Sequence, residues 1–147
     1  MPEALRLGVQ YISCFLFKIP DFIPVRQGKK KIMDPNIQRV LGHIENEYTE
    51  IIHLGELAAI SGYSLSRFKI KFKDKVGITP SNYIRFKKLE YAKYLLRTTE
   101  KTVTRIALDS GFSSSNYFST VMKNLSNYSP CEYRDFYKAN RLKKDNN

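Results

Sequence analysis

The chain has 147 residues, which is enough for one domain or two small subdomains. Hydrophobic residues make up 42% of the chain and charged residues 27%, so the composition fits a packed core and differs from that of a disordered tail. The net charge of +11 favours an anionic partner, which is either nucleic acid or an acidic membrane surface.

The two cysteines, Cys14 and Cys131, lie far apart, and neither belongs to a CxxC pair or lies near a pair of histidines. This spacing argues against a disulfide scaffold and a zinc site and favours a reducing cytosol. The longest apolar run, residues 11–19, is interrupted by Ser13 and Lys18 and is shorter than the roughly 20 residues that span a bilayer. We therefore expect a soluble cytoplasmic protein that needs no metal or cofactor.

Residues 1–33 differ from the rest of the chain. Their apolar residues fit a strand period and a helix period, with a weak preference for a helix over about residues 9–18. Pro20 and Pro24 end this pattern, and the basic residues 27–31 resemble a linker. The segment is either the remnant of an upstream domain or an arm that packs on the main domain.

Regular helical signals begin at Asp34, and we divide the remaining chain into a main domain over 34–140 and a polar tail over 141–147. Asp34 followed by Pro35 is typical of a helix start, because aspartate caps the helix and proline suits its first turn. A second, shorter helix is predicted over about 54–61. Every pattern in the main domain is helical, so the sequence predicts an all-α fold.

The next stretch, residues 64–76, predicts a helix with two different faces. Its apolar residues repeat at helical spacing and should point inward; they are Leu65, Phe68, Phe72 and Val76. The same spacing gives an outward set of Ser66, Lys69, Ile70 and Lys73. Five Lys or Arg residues against the single acid Asp74 suit a polyanion, so we predict that this helix enters the major groove of DNA.

A long helix is predicted from Thr79 to Leu96, with threonine as its cap and Pro80 in its first turn. About eighteen residues at 1.5 Å each give a rod of roughly 27 Å.

The chain then repeats itself. Leu57-Ala58 and Gly62-Tyr63-Ser64 recur 49 residues later as Ile106-Ala107 and Gly111-Phe112-Ser113, and the residues that follow recur at an offset of 50. Such a repeat indicates two copies of one helix-turn-helix unit. In the second copy the inward set is Phe118, Val121, Met122 and Leu125, and the outward set is Asn116, Ser119, Thr120 and Lys123. Its outward chemistry is mainly hydroxyl and amide, which suits hydrogen bonds to base edges.

Two further signals frame the end of the second copy. Asn127 stands where the first copy has Gly77, and asparagine is the usual substitute where a left-handed residue ends a helix. Ser129 and Glu132 form a capping box for a closing helix.

The motif Gly111-Phe-Ser-Ser-Ser-Asn-Tyr-Phe-Ser, followed by Lys123, Ser129-Pro130 and Tyr133, resembles the DNA-binding domain of the AraC/XylS family of bacterial transcription regulators. The resemblance covers about residues 34–138. It implies about seven helices, in which two helix-turn-helix units joined by a long linker helix place two recognition helices in successive major grooves.

The resemblance also assigns individual contacts to double-stranded DNA. The implied base-contacting residues are Ser66, Lys69, Ile70, Ser115, Asn116, Tyr117, Ser119 and Thr120. We add Lys71, Lys73 and Lys123 as phosphate-contacting residues, because their charges lie on or beside the outward faces. RNA polymerase is a further candidate partner for a regulator of this kind.

Some features depart from the family pattern. His53 lies where the family often has a Ser or Thr cap, Lys88 where it usually has Arg in the linker helix, and Asn127 where it usually has Gly. Family members usually carry an upstream effector-binding and dimerisation domain, whereas 33 residues precede the repeat here. The sequence therefore gives no support for inducer binding, and it specifies neither an inducer, nor the operator, nor activation or repression, nor the oligomeric state.

Other readings remain open for single features. The basic helix 64–76 could be a solvated charged face, Ile70 an isolated surface residue, and Tyr117 part of the core. We find no phosphate-binding loop, no paired carboxylates and no nucleophile with a base, so we do not expect an enzyme. The alternatives to DNA reading are a basic membrane-surface protein that uses residues 1–33 and a protein-interaction module that has lost DNA binding.

Overall fold

A computed structural model of the chain describes the backbone of residues 34–145 and the side chains of residues 34–142. This part contains seven helices and no strand, which confirms the predicted all-α fold. The helices are α1 (Pro35–Glu47), α2 (Leu54–Ser61), α3 (Leu65–Val76), α4 (Pro80–Thr98), α5 (Val103–Asp109), α6 (Ser115–Ser126) and α7 (Pro130–Asp145). The segment 1–33, with its two predicted conformations, lies outside the described residues.

Short polar side chains begin most of these helices. Each accepts a hydrogen bond from a backbone N–H of the first turn, which would otherwise lack a partner. The caps with such a bond include Asp34, Ser64, Thr79, Thr102 and Ser114. Helix α2 differs, because His53 at its cap position makes no side-chain hydrogen bond to the helix.

Asn127 ends α6 in the left-handed conformation, with a φ of 61°, as the sequence predicts. It is the one residue other than glycine with a positive φ in the described part of the chain. Asparagine tolerates this conformation better than most residues, so the helix can stop here without glycine.

Two hydrophobic cores share the helix α4. The first unit, α1–α3, closes around a core of Ile37, Val40, Ile44, Leu57, Ala58, Phe68, Phe72 and Ile84. The second unit, α5–α7, closes around Leu89, Ala92, Leu95, Leu96, Ile106, Ala107, Phe112, Phe118, Val121, Met122 and Tyr133. Helix α4 contributes Ile84 to the first core and four residues to the second, so it joins the units as one unbroken rod. Its 19 residues give a length of about 28 Å.

The inward prediction is wrong for two leucines. Leu65 is 42% exposed and Leu125 is 44% exposed, although both fall on the inward side by spacing. Leu65 opens α3 and Leu125 lies in the last turn of α6. Periodicity gives the direction of a side chain, but a residue at a helix end is buried only where a neighbouring element reaches that far.

Helix α7 continues to Asp145, so residues 141–145 of the predicted polar tail are helical. Among the aromatic residues of α7, Tyr133 is buried, whereas Phe136 and Tyr137 remain partly exposed.

Candidate nucleic-acid interface

Helix α3 is fixed by its inner face. The rings of Phe68 and Phe72 are fully buried and meet edge to face, with centroids 5.7 Å apart. On the opposite side Ser66, Lys69 and Lys73 are exposed, and Ile70 keeps 70% of its surface in solvent. Lys71 is half-buried. The structure therefore brings the predicted α3 residues onto one accessible face, with Lys71 at its margin.

The turn before α3 is tied to the start of α1. The Tyr63 hydroxyl donates a hydrogen bond to Asp34 Oδ2 at 2.9 Å, and this bond is the main reason why the pKa of Asp34 is lowered. The guanidinium of Arg67 lies 5.1 Å from the centre of the Tyr63 ring, within cation–π range. These contacts stabilise the turn that orients α3.

Helix α6 has a comparable division. Phe118, Val121 and Met122 are buried, while Asn116, Tyr117 and Thr120 are exposed and Ser115 and Ser119 are half-buried. The outer faces of α3 and α6 both contact solvent, so neither is buried against the other.

Two of the predicted α6 contacts already have partners within the chain. The Thr120 hydroxyl donates a hydrogen bond to the Asn116 carbonyl oxygen at 3.0 Å, which leaves its oxygen lone pairs and its methyl group for an external partner. The Tyr117 ring lies edge-on to Phe112, with centroids 6.0 Å apart, yet Tyr117 is 41% exposed. Tyr117 thus packs against the core residue Phe112 and also presents part of its surface to solvent.

The positive charge is distributed unequally between the units. Lys69 and Lys73 on α3 have no ion-pair partner among the described residues. In the second unit Lys101 and Arg105 both pair with Asp109, and Lys123 Nζ lies 3.2 Å from Glu132 Oε2. Helix α3 is therefore the cationic face, and α6 is polar with its main charge engaged.

Glu132 belongs to the capping box that the sequence predicts. Its Oε2 accepts a hydrogen bond from the Ser129 backbone N–H at 2.7 Å, and the Ser129 hydroxyl accepts one from the Glu132 N–H at 3.3 Å. The bonds from Ser129, together with Lys123, lower the pKa of Glu132 to about 2. Because the same carboxylate caps α7 and pairs with Lys123, the charge available at the end of α6 depends on Glu132.

Other kinds of site receive little support in the described part of the chain. It holds no group of three or more His, Cys, Asp or Glu side chains placed to bind a metal ion. None of the helices described is both long enough and apolar enough to cross a bilayer. Cys131 is exposed and carries a free thiol, whereas Cys14 lies outside the described residues.

Comparison with known sequences finds helix-turn-helix proteins. A family model described as a helix-turn-helix domain matches residues 57–135. An uncharacterised HTH-type transcriptional regulator of Staphylococcus aureus is 33% identical over 127 residues, which is 85% of this chain and 17% of that protein. "Probable transcriptional regulator LumQ" of Photobacterium leiognathi is 32% identical over 108 residues, covering 74% of this chain and 44% of that protein. The chain thus spans less than half the length of either relative.

Solved structures give the same result. An AraC-type DNA-binding regulator from Chromobacterium violaceum superposes with a TM-score of 0.64 at 31% identity, covering 69% of this chain and 90% of that one. The DNA-binding domain of the global transcriptional factor AdpA, solved with a target DNA, gives a TM-score of 0.68 at 27% identity, covering 74% of this chain and 97% of that one.

The fold and the two outer faces define a helix-turn-helix DNA-binding domain. The chain belongs to the AraC-type helix-turn-helix family of transcriptional regulators, as the motif resemblance implies. The relatives named above are transcriptional regulators rather than enzymes.

Proposed function

We propose that this protein binds double-stranded DNA sequence-specifically as a transcriptional regulator, with α3 and α6 in successive major grooves on one face of the duplex. One observation carries the proposal: two exposed polar faces occur at matching positions of a repeat, and the two units that carry them pack on one continuous helix. That helix is about 28 Å long, which is close to the groove repeat of about 34 Å. The similarity to the DNA-bound AdpA domain supports DNA as the partner.

The two helices would read different chemistry. On α3, Lys69 suits the O6 and N7 acceptors of guanine, and the exposed Ile70 suits a thymine methyl group. On α6, Asn116 suits adenine, which offers one donor and one acceptor in the major groove. The remaining proposed base contacts are Ser66, Ser115, Tyr117, Ser119 and Thr120.

Phosphate contacts would come from Lys71, Lys73 and Lys123. Lys73 is exposed without an ion-pair partner among the described residues, so it can reach a phosphate directly. Lys123 has to exchange Glu132 for the phosphate, which weakens its net contribution.

A pair of substitutions tests the division between phosphate and base contacts. The probe is a duplex that the wild-type chain selects from a random-sequence library, which we call the selected duplex, and an unrelated duplex serves as reference. Lys73→Gln should weaken binding to both duplexes alike and reduce the slope of log affinity against log salt by about one unit. Asn116→Ala should weaken binding to the selected duplex alone, by about 1–3 kcal/mol.

Lys75→Gln is the matched control for the phosphate contact, because Lys75 lies on the same helix, is half-buried and pairs with Asp74. It should change the salt slope less than Lys73→Gln does. If Lys73→Gln and Asn116→Ala affect the two duplexes in the same way, the proposed division is wrong.

A protein-interaction module remains the second candidate, and exposed apolar side chains near α7 favour it. They are Tyr128, Phe136, Tyr137 and Leu142. Under this alternative the chain would bind random genomic fragments no better than a basic protein of equal charge, and library selection would enrich no sequence.

A further inference from the structure

The turn of the second helix-turn-helix lies against the first unit. Gly111 adopts a φ of +79°, and a Cβ atom at this position would lie 2.1 Å from the Thr49 carbonyl oxygen in the loop between α1 and α2. No side chain fits at that distance, so the two backbones approach each other as closely as glycine permits. This contact joins residues that are 62 positions apart in the chain.

Lys88 reaches the same place from α4. It lies between Ile84, which belongs to the first core, and Leu89, which belongs to the second. Its Nζ donates a hydrogen bond to the Gly111 carbonyl oxygen at 2.7 Å. Burial lowers the pKa of Lys88, and the carboxylate of Glu50 acts in the opposite direction. A lysine is thus held partly out of water between the two units, where its ammonium group joins the linker helix to the turn before α6.

Two further contacts lie close to the boundary between the two units. One joins the units, and the other holds α4 against α1. The ring of Tyr48, packed on the first core, meets the ring of Tyr91, packed on the second, with centroids 5.9 Å apart and an interplanar angle of 75°. Lys87 Nζ lies 2.7 Å from Glu45 Oε2, which ties α4 to α1 just before the boundary. We call Thr49, Glu50, Lys88 and Gly111 the interunit junction.

We infer that the interunit junction sets the separation and relative twist of the two recognition helices, with Lys88 as its positioning residue. Helix α4 joins the two units as a single rod. A single connecting helix can bend, so by itself it fixes the angle between the units poorly. The junction adds a contact away from the helix axis, which fixes the angle between the units. The inference rests on the proposed two-groove binding, because a fixed angle selects which spacing of two DNA half-sites can be bound at once.

Binding to DNA of varied spacing tests this role. The probes are the selected duplex, versions of it with one base pair added or removed between the half-sites, and a duplex with one half-site. Lys88→Met should weaken binding to the selected duplex by roughly tenfold, because looser units lower the effective concentration of the second contact. Its affinity for the single half-site should stay within about twofold of wild type, and its preference for one spacing should flatten.

Two further variants serve as controls. Lys88→Arg keeps a donor at the junction and should restore the spacing preference. Lys93→Met removes a lysine from the same helix whose contacts, Glu90 on α4 and the ring of Tyr133, do not reach the first unit. It should leave the spacing preference unchanged. An unaltered spacing profile in Lys88→Met overturns the inference while leaving two-groove binding intact.

A measurement without DNA separates the inference from the proposed function. Spin labels at Lys69→Cys and Thr120→Cys, in a chain with Cys14→Ser and Cys131→Ser, report the distance between α3 and α6 by pulsed electron paramagnetic resonance. Adding Lys88→Met should broaden the distance distribution, whereas Lys88→Arg and Lys93→Met should keep it narrow. Equal widths in all four chains overturn the inference. If instead wild type binds one half-site as tightly as two, the two-groove proposal fails and the label distances still decide the role of Lys88.

Discussion

The effect of a Gly→Ala substitution on folding stability should differ between two glycines of this chain, Gly111 and Gly42, because their surroundings differ. At Gly111 an added methyl group meets a backbone oxygen and the φ is positive. At Gly42, inside α1, an added Cβ would meet no atom within 4 Å among the described residues outside the neighbouring backbone of its own helix. We expect Gly111→Ala to lower the free energy of unfolding by at least about 2 kcal/mol, because strain and overlap add. Gly42→Ala should raise it by about 0.5–1 kcal/mol, since alanine favours helix.

Chemical denaturation of both variants measures these changes directly. Equal effects of the two substitutions would mean that the close approach of Gly111 to Thr49 does not exist in solution, and the interunit junction would lose its first observation.

Ile70 and Phe72 lie on opposite sides of α3, and their substitution should separate binding from stability. Ile70→Ala should change the free energy of unfolding by less than about 0.5 kcal/mol, because the side chain is largely exposed. It should weaken binding to the selected duplex by about 1 kcal/mol, through loss of an apolar contact to a thymine methyl group. Thermal melting and titration with the duplex give the two values.

Phe72→Ala is the comparison, since this ring is fully buried. We expect it to cost about 3–5 kcal/mol of folding stability. Should Ile70→Ala melt like Phe72→Ala, the outer face assigned to α3 would be wrong.

Helical spacing alone predicts which side chains of α3 and α6 face outward, because that direction is local to each helix. The sequence does not predict how those side chains are engaged. Thr120 turns its hydroxyl back to Asn116, and Lys123 pairs with Glu132, and both depend on rotamers and on neighbouring helices. Spacing predicts Leu65 and Leu125 to point inward, and this is wrong because spacing does not reveal where the neighbouring element ends.

Helix caps are the clearest local signals in the sequence. The capping box of Ser129 and Glu132 at the start of α7 should make stability depend on pH in a measurable way. Glu132 has a pKa of about 2, below its ordinary value of 4.5. A lowered carboxyl pKa contributes stability above pH 4.5, and this contribution is lost as the pH falls from 4.5 towards 2. Glu132→Gln should therefore show a shallower loss of unfolding free energy than wild type over that interval.

The difference between the two pH curves is the relevant quantity, because Asp34, Glu100 and Asp109 also have lowered pKa values in both chains. Denaturant titrations at several pH values between 2 and 6 supply the curves. Parallel curves for wild type and Glu132→Gln would contradict the capping box.

Element boundaries follow from the sequence wherever a cap residue is present. The sequence predicts the linker helix from Thr79 to Leu96, and the observed helix runs over Pro80–Thr98. Its start agrees because threonine and proline mark it. Its end is less well marked, and the observed helix continues two residues further. Helix α7 likewise continues to Asp145, beyond the boundary at residue 140 that the sequence indicates for the main domain.

The arrangement of the two units is the least predictable feature. The repeat of Gly62 in Gly111 predicts two similar turns. Among the described residues, a Cβ atom at Gly62 would meet nothing within 4 Å, whereas one at Gly111 would overlap Thr49 of the first unit. Thr49, Lys88 and Gly111 come together through the packing of both cores on α4, and no periodicity connects positions so far apart. The sequence identifies Lys88 as a departure from its family without indicating what it contacts.

Simultaneous occupation of two grooves by one chain can be measured by missing-nucleoside interference on the selected duplex. Each base is removed in turn, and the positions whose loss prevents binding are mapped in complexes of verified one-to-one stoichiometry. The proposed geometry predicts two clusters of essential bases on one face of the DNA, with centres about 10–10.5 base pairs apart. A single cluster, or two clusters that require two chains, would contradict it.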